Sequence, residues 1–426
     1  MRDRPTGPWD KLLGQAPTVR GTYSLNTLAA GLSAATMVVL QLLTTRILGA
    51  EAAGRVSVDA ATVLLCYQIG QLNMRPVQAT DLNGRFSFAE YLTLKTVTVG
   101  IMMAICLAYT LVRGYDGPRM LFCLAFCGYK ALETFSDAFW GMLHGKGRLD
   151  LAALGGAIHL SAGILAFGLI LLLTKRLELA ALGMVLGAVA VFFLYTWPLG
   201  RRAQTPGLCG HWRRIGALAA SLLPLFAAGY ILNWAITLPK YALERTVSES
   251  VQGHFAALYM AAQGVLLLSG FIYYPQLTTL ARYHEQGDKG SFIRLLRRLG
   301  TVIVLVDAVL LAGGWLLGPE LLGWLFRLDL TPYRLDLLLI LLGGGCFALY
   351  TMIFYGLIAI QAQRGLALLT LVVLGAAAAL NAILVPRLGI RGAAWGHLGT
   401  MALAALMIYF KLKLALCRSE GDVHGG

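Results

Sequence analysis

The sequence predicts an all-α integral membrane protein of about twelve transmembrane helices. Hydrophobic residues make up 58% of the chain and charged residues 13%, about half the charged share of a soluble domain. The mean hydropathy is +0.70. A water-soluble fold of 426 residues could not bury that much apolar surface, so lipid must surround most of the chain. The apolar runs are continuous rather than alternating, which makes barrel strands a poor alternative.

Twelve apolar runs have about the 20 residues that a helix needs to cross a bilayer core. Their predicted bounds are 23–45, 52–74, 90–112, 118–142, 151–174, 178–200, 215–238, 252–275, 299–318, 335–360, 365–385 and 391–411.

The longest polar linker, 201–214, divides these spans six and six. We therefore predict an N-terminal six-helix lobe at 1–200, a cytoplasmic linker at 201–214 and a C-terminal six-helix lobe at 215–426. Six is an even number, so both lobes enter the membrane from the same side. Parallel repeats of this kind are typical of transporters that bind substrate between their halves.

Internal similarity supports two related halves. Arg46 ends the first span and is followed by Gly54 and Arg55, while Lys240 ends the seventh span and is followed by Gly253. Because the match covers few residues, it supports the repeat without establishing it.

Basic residues predict the orientation, because they accumulate on the cytoplasmic side. One side of the predicted topology carries 22 of the 35 lysines and arginines and the other carries 12, with Lys130 inside a span. Both termini are therefore predicted to be cytoplasmic. Part of the net charge of +14 reflects this topology, and part serves to attract anionic phospholipids. Charge spread over loops this short does not favour nucleic acid as a partner.

Charged residues inside spans are the candidates for function, because burying a charge in a membrane costs about 2.5–3.5 kcal/mol. Lys130, Glu133 and Asp137 fall within a 60° arc of one helix face at 100° per residue. They predict either a polar wall of a substrate pathway or an ion-pair cluster that ties helices together. In the first case Lys130 would meet an anionic group, and the carboxylates would hold it or take up a proton.

Two further sets of cations are candidates. Arg46, Arg55, Lys240 and Arg245 predict a ring of cations at an outer mouth that holds phosphate oxygens. Alternatively they snorkel to the membrane interface, as lysine and arginine readily do. Arg75 precedes a proline, which disfavours continued helix, and it marks either an inner mouth or a topology anchor beside Asp81.

The remaining intramembrane polar residues have open interpretations. Asp59 and Asp307 are lone carboxylates that are either hydrogen-bonded structural groups or ion-coupling sites. His159 is predicted to be a packing residue. Pro224 and the run Gly343–Gly345 predict helix breaks or close packing.

Known catalytic and metal-binding signatures are missing from the sequence. It contains no P-loop, no H-E-x-x-H and no paired C-x-x-C, so we predict no cofactor, no metal site and no enzymatic activity. The segment Arg282–Arg298 mixes apolar and basic residues and predicts an amphipathic helix at the cytoplasmic interface.

Several stretches together resemble the oligosaccharide (polysaccharide biosynthesis) flippases of the multidrug/oligosaccharidyl-lipid/polysaccharide (MOP) superfamily. The resemblance covers nearly the whole chain. It is carried by Thr45–Gly49 with Gly54, by Asn381–Ala394, and by shorter pieces at Tyr91, Lys146–Asp150, Pro239–Tyr241 and Gly270–Ile272.

The resemblance implies a MATE-like V shape of two lobes that open alternately to either side. It also implies a lipid-linked oligosaccharide on undecaprenyl pyrophosphate as substrate, moved across the bacterial cytoplasmic membrane for cell-surface polysaccharides such as O-antigen. Glycan-assembly enzymes would be partners. Members of the family line their cavity with cations, for which Arg46, Arg55, Lys130, Lys240 and Arg245 are candidates here.

Three rival functions stay open. A drug or metabolite exporter of the same fold would bind cations and favour cavity carboxylates. A membrane polymerase or glycosyltransferase is disfavoured by short outer loops, and a scaffold subunit of a glycan-assembly complex can be tested only by a transport assay.

Overall fold

A computed structural model describes residues 13–14, 19–81, 84–273, 276–360, 362 and 365–421. Every regular element among these residues is helical, which confirms the all-α fold class.

Eight helices lie in the described part of the chain from Val19 to Ala203, and they are numbered here in chain order. They are α1 (Val19–Leu48), α2 (Ala50–Gln71), α3 (Met74–Thr80), α4 (Phe88–Val112), α5 (Gly117–Gly145), α6 (Leu149–Thr174), α7 (Leu177–Val191) and α8 (Trp197–Ala203). A π-helical turn, Phe192–Thr196, joins α7 to α8.

Seven more helices follow the linker. They are α9 (Trp212–Glu244), α10 (Glu249–Tyr273), α11 (Leu277–Glu285), α12 (Lys289–Phe326), α13 (Arg334–Ala359), α14 (Leu366–Leu388) and α15 (Ile390–Gly421). Helix α9 bends by 49° next to Pro224, as predicted, because proline supplies no backbone N–H to the helix.

Nine helical segments in the described part of the chain are long and apolar enough to cross a membrane, or ten if bent α9 counts as one span. The chain is therefore a multi-pass membrane protein. Helices α2 and α5, with 22 and 29 residues, also have spanning length at 1.5 Å per residue. They are less apolar because they carry Asp59 or the triad of Lys130, Glu133 and Asp137. The total of twelve spans stays a prediction.

The described residues form two compact units. One comprises residues within Met1–Ile47 and Asp59–Phe226, and the other Leu48–Val58 and residues within Ala227–Gly426. The two lobes with a boundary at 201–214 stay a prediction. Part of that segment packs on the start of α4.

Two contacts attach the segment to α4. Arg214 Nε lies 2.5 Å from Glu90 Oε1, and the Cys209 amide donates to Thr93 Oγ1 over 3.0 Å. Glu90 also closes a capping box with Ser87, which begins α4.

The end of α2 determines where Arg75 lies. Leu72 and Asn73 have φ angles of 48° and 49°, a left-handed conformation that interrupts the helix. Arg75 and Pro76 then fall in the first turn of α3, where a proline is tolerated. The predicted span 52–74 therefore ends earlier, at Gln71.

The Gly343–Gly345 run packs α13 against three helices, which confirms the predicted close packing. A Cβ atom at Gly343 would lie 2.5 Å from His397 of α15, and one at Gly344 would lie 3.2 Å from Ala262 of α10. A Cβ atom at Gly345 would lie 2.1 Å from the Oδ2 atom of Asp307 on α12.

The prediction of one amphipathic helix over Arg282–Arg298 is wrong. Helix α11 ends at Glu285, and Asp288 caps α12 by accepting a hydrogen bond from the Ser291 amide over 2.9 Å. Arg282 lies on α11, and the other basic residues lie on the first turns of α12, a 38-residue helix. Phe292 and Leu296 on this stretch are buried in the core of the second unit, so this face packs against protein.

Candidate ligand-binding cleft

The first unit contains a cleft of about 390 Å³ between α1, α2, α3, α5 and α6. Its polar and aromatic lining comprises Ser33, Tyr67, Arg75, Glu133, Asp137, Trp140 and His144. Helical periodicity explains part of this lining, because Glu133, Asp137 and Trp140 recur every three or four residues along α5 and share one face.

Lys130 is enclosed behind the cleft. Its Nζ atom lies 2.7 Å from Glu133 Oε2, and it lies 4.9 Å and 5.4 Å from the ring centroids of Tyr67 and Tyr129. Only 6% of Lys130 is exposed. A carboxylate and two aromatic faces therefore surround this ammonium group, which stabilises the buried charge.

Asp137 contacts two cations. Its Oδ1 atom lies 3.1 Å from Arg75 Nη1, and its Oδ2 atom lies 3.7 Å from Lys95 Nζ. The side chain of Arg75 is 33% exposed, whereas those of Asp137 and Lys95 are 7% and 1% exposed. Arg75 is thus the accessible cation, and Lys95 is the enclosed one.

Gln71 connects the two ion pairs. Lys95 Nζ donates to the Gln71 carbonyl oxygen and to Oε1, both over 3.1 Å. Gln71 Nε2 donates to the Tyr67 hydroxyl over 2.8 Å, and that hydroxyl donates to Glu133 Oε1 over 2.7 Å. One network of hydrogen bonds therefore joins α2, α4 and α5.

The polar network comprises Tyr67, Gln71, Arg75, Lys95, Lys130, Glu133 and Asp137. It holds three cations and two carboxylates, so its formal charge is positive. A buried carboxylate needs a cationic partner, and Asp137 has two. The surplus cation that reaches the cleft is the guanidinium of Arg75, whose planar donors suit a phosphate or carboxylate group.

The structure brings together four of the eight predicted site residues: Arg75, Lys130, Glu133 and Asp137. For Arg75 it identifies the partner as Asp137. Asp81 instead accepts hydrogen bonds from the backbone amides of Arg85 and Phe86.

Sequence reasoning missed Lys95, Gln71 and Tyr67. The sequence does contain a signal for Lys95, because this lysine lies inside the predicted span 90–112, where a charge is costly to bury. No sequence signal distinguishes Gln71 or Tyr67 from other polar residues at a helix end.

The remaining predicted cations lie elsewhere. Arg46 is partly buried in the last turn of α1, in the first unit. Arg55 belongs to the second unit, where its guanidinium lies 2.5 Å from Glu51 and 2.6 Å from Glu249. Two carboxylates therefore already engage Arg55.

Lys240 and Arg245 also belong to the second unit. Lys240 Nζ lies 5.1 Å from the centroid of the Tyr259 ring, and Arg245 is exposed. A common mouth formed by these cations and Arg46 stays a prediction.

The description of Asp59 as a lone carboxylate is wrong. Arg119 Nε lies 3.0 Å from both carboxylate oxygens and Arg119 Nη2 lies 2.8 Å from Oδ1. Arg119 also stacks on Tyr115, 3.9 Å from the ring centroid. Arg119 lies at the start of the predicted span 118–142, and nothing in the local sequence indicates a partner 60 residues away.

His159 packs as predicted. Its ring stacks on Tyr129 with centroids 4.8 Å apart, and it meets Trp140 edge-on at 6.0 Å. Among the residues that the structure describes, no group of three or more histidine, cysteine or acidic residues is arranged to hold a metal ion.

Solved structures with the same fold are transporters of the MOP superfamily. An inward-facing multidrug resistance MATE family transporter superposes with a TM-score of 0.66 at 14% identity, covering 90% of this chain and 95% of its own. Lipid II flippase MurJ, in an inward closed conformation, has a TM-score of 0.70 at 12% identity, covering 91% of this chain and 87% of its own.

A MOP superfamily transporter from Pyrococcus furiosus, described with a binding pocket of reverse polarity, has a TM-score of 0.63 at 14% identity. The alignment covers 93% of this chain and 94% of that one. No protein-family model and no curated protein sequence matches the chain. Identities this low establish the fold alone, so the chain has the all-helical fold of MATE and MurJ transporters.

Proposed function

We propose that the protein is a flippase that moves a lipid-linked oligosaccharide, carried on undecaprenyl pyrophosphate, across the bacterial cytoplasmic membrane by alternating access. The observation that carries the proposal is Arg75, a partly exposed guanidinium in the cleft whose counter-ion Asp137 also contacts the buried Lys95. This arrangement leaves positive charge available for the pyrophosphate group.

The chemistry of the cleft supports an anionic head group with attached sugars. A guanidinium binds phosphate oxygens through two parallel hydrogen bonds. Tyr67 and Trp140 supply aromatic surface beside it. The fold is shared with lipid II flippase MurJ, which supports a lipid-linked substrate.

The cellular setting belongs to the same proposal. Both termini would be cytoplasmic, anionic phospholipids would surround the basic cytoplasmic loops, and glycan-assembly enzymes would supply the substrate. Arg46, Lys240 and Arg245 would contribute further positive charge, whereas Glu51 and Glu249 already neutralise Arg55.

A second candidate function is export of cationic drugs or metabolites. Glu133 and Asp137 both line the cleft, and carboxylates suit a cationic ligand. The MATE transporters that share the fold support this candidate. The two functions differ in the sign of charge that the cleft must bind.

Transport into proteoliposomes distinguishes the two. We expect the wild-type protein to expose a fluorescent undecaprenyl-pyrophosphate oligosaccharide in the opposite leaflet. The Arg75→Ala variant should slow this at least about tenfold, because a charge-assisted hydrogen bond contributes about 1.5–3 kcal/mol.

Arg298→Ala, which removes an exposed arginine of α12, is the matched control and should act like wild type. If the protein transports ethidium and does not move the lipid-linked glycan, the flippase proposal is wrong and the exporter function is supported.

A further inference from the structure

Asp137, which lines the cleft, forms ion pairs with two cations. A buried carboxylate needs one cationic partner, and removing its last partner is strongly unfavourable. Asp137 has both Arg75 and Lys95. One of the two cations can therefore leave without stranding the carboxylate.

The surroundings indicate which cation leaves. Lys95 is fully buried and its ammonium group is held by two oxygen atoms of Gln71, so it stays in place. Arg75 is one-third exposed and lines the cleft from α3, a helix of seven residues that follows two left-handed residues. A guanidinium in that position reaches a ligand by rotating its own side chain.

We propose that Lys95 is a positioning residue that acts as the resident counter-ion of Asp137, so that Arg75 can exchange this carboxylate for an anionic group of the ligand. The inference rests on the proposed function and deepens it, because the recognised chemistry is a diphosphate. Lys95 does not contact the ligand. It sets how strongly Asp137 retains Arg75.

Charge substitutions separate this role from simple packing. In Lys95→Met the carboxylate of Asp137 has Arg75 as its remaining cation and retains it. In Asp137→Asn no carboxylate holds Arg75, so the guanidinium is available. In Lys95→Met/Asp137→Asn the retaining charge and its counter-ion are both absent, and Arg75 is again available.

The test measures binding of farnesyl diphosphate to the purified full-length protein, with farnesol as the uncharged control. Lys95→Met should bind farnesyl diphosphate about ten- to a hundredfold more weakly than wild type, the range of one charge-assisted hydrogen bond. The double variant should recover wild-type affinity, and Asp137→Asn should bind at least as tightly as wild type.

A second readout needs no ligand. Phenylglyoxal modifies accessible arginines, and mass spectrometry of the peptide that contains Arg75 gives its rate of modification. We expect Asp137→Asn and the double variant to react faster than wild type, and Lys95→Met to react more slowly.

The outcomes separate the two proposals. A double variant as weak as Lys95→Met, or equal labelling of Arg75 in all four proteins, overturns the role of Lys95 and leaves the flippase in place. Wild-type protein that binds farnesyl diphosphate no better than farnesol overturns the anionic substrate itself. If Lys95→Met does not fold, the charge-balanced double variant still decides, because weaker binding and slower labelling than wild type would contradict the exchange.

Discussion

Gly54 and Gly253 face each other where the first turns of α2 and α10 cross. A Cβ atom at Gly54 would lie 2.0 Å from the carbonyl oxygen of Glu249, and one at Gly253 would lie 2.0 Å from that of Ala50. The sequence placed these glycines at equivalent positions of two halves. In the structure both belong to the second unit and allow two backbones to meet.

The close contact between α2 and α10 predicts that Gly54→Ala lowers the stability of the protein. The new methyl group would meet backbone atoms, which cannot move as a side-chain end can, so we expect a loss of about 1–3 kcal/mol of stability. Thermal unfolding in detergent measures it. Gly375→Ala is the matched control, because nothing lies within 4 Å of a Cβ atom there and alanine favours helix. Equal melting temperatures for the two variants would contradict the prediction.

The close approach of Gly345 to Asp307 predicts that substitutions of these two residues have coupled effects on stability. Gly345→Ala would place a methyl group 2.1 Å from Asp307 Oδ2, and overpacking of this kind costs about 1–3 kcal/mol. Removing the carboxylate should relieve the clash, so Asp307→Ala/Gly345→Ala should be more stable than the sum of the single effects predicts. A double-mutant cycle by thermal unfolding measures the coupling. Strict additivity would show that the clash is relieved elsewhere.

The predictable part of the site was the part contained in one helix. Lys130, Glu133 and Asp137 share a face because helical periodicity fixes it, and the structure confirms the pairing of Lys130 with Glu133. Contacts between helices depend on how the helices pack, which no local pattern reports. Arg55 pairs with Glu249, which is 194 residues away in the sequence.

Lys95 illustrates a second limit of the sequence. A lysine near the end of a span is ordinarily a cation that snorkels to the interface. The left-handed turn after Gln71 instead brings a carbonyl and an amide oxygen to its ammonium group. The apolar runs predicted the fold because their length is set by the bilayer, whereas the turn that encloses Lys95 has no such constraint.

The hydrogen bonds of Asp81, which lies outside the spanning helices, predict that the stability of the protein depends on pH. Partial burial opposes ionisation, but hydrogen bonds from the Phe86 and Arg85 amides and the Tyr91 hydroxyl outweigh it and hold the pKa of Asp81 below its ordinary value. The stability from Asp81 is therefore present above the pKa that an unfolded aspartate has, about 3.9. It is lost as pH falls through the lower pKa of the folded state.

Melting curves at several pH values test this dependence. Asp81→Asn should lower the melting temperature at neutral pH, and its difference from wild type should shrink as pH falls below about 4. Asp116→Asn is the control, since the exposed Asp116 makes no capping hydrogen bond at the start of α5. A difference for Asp81→Asn that stays constant with pH would contradict the assigned hydrogen bonds.

The Asp59–Arg119 pair predicts a strongly destabilised single variant. The side chains of Asp59 and Arg119 are only 2% and 19% exposed, and both carboxylate oxygens accept hydrogen bonds from the guanidinium. Removing one partner of a buried pair leaves the other charge uncompensated and costs about 3–5 kcal/mol, so Arg119→Met should lower the melting temperature sharply.

Asp59→Leu/Arg119→Met should regain much of this stability, because apolar residues of similar volume often replace a buried ion pair at little cost. Thermal unfolding of both variants in detergent, beside wild type, measures the difference. If the double variant unfolds at the temperature of Arg119→Met or below it, packing of the Arg119 side chain on Tyr115 contributes more than neutralisation of Asp59. Recovery in the double variant would instead identify Arg119 as the counter-ion that allows Asp59 to stay ionised inside α2.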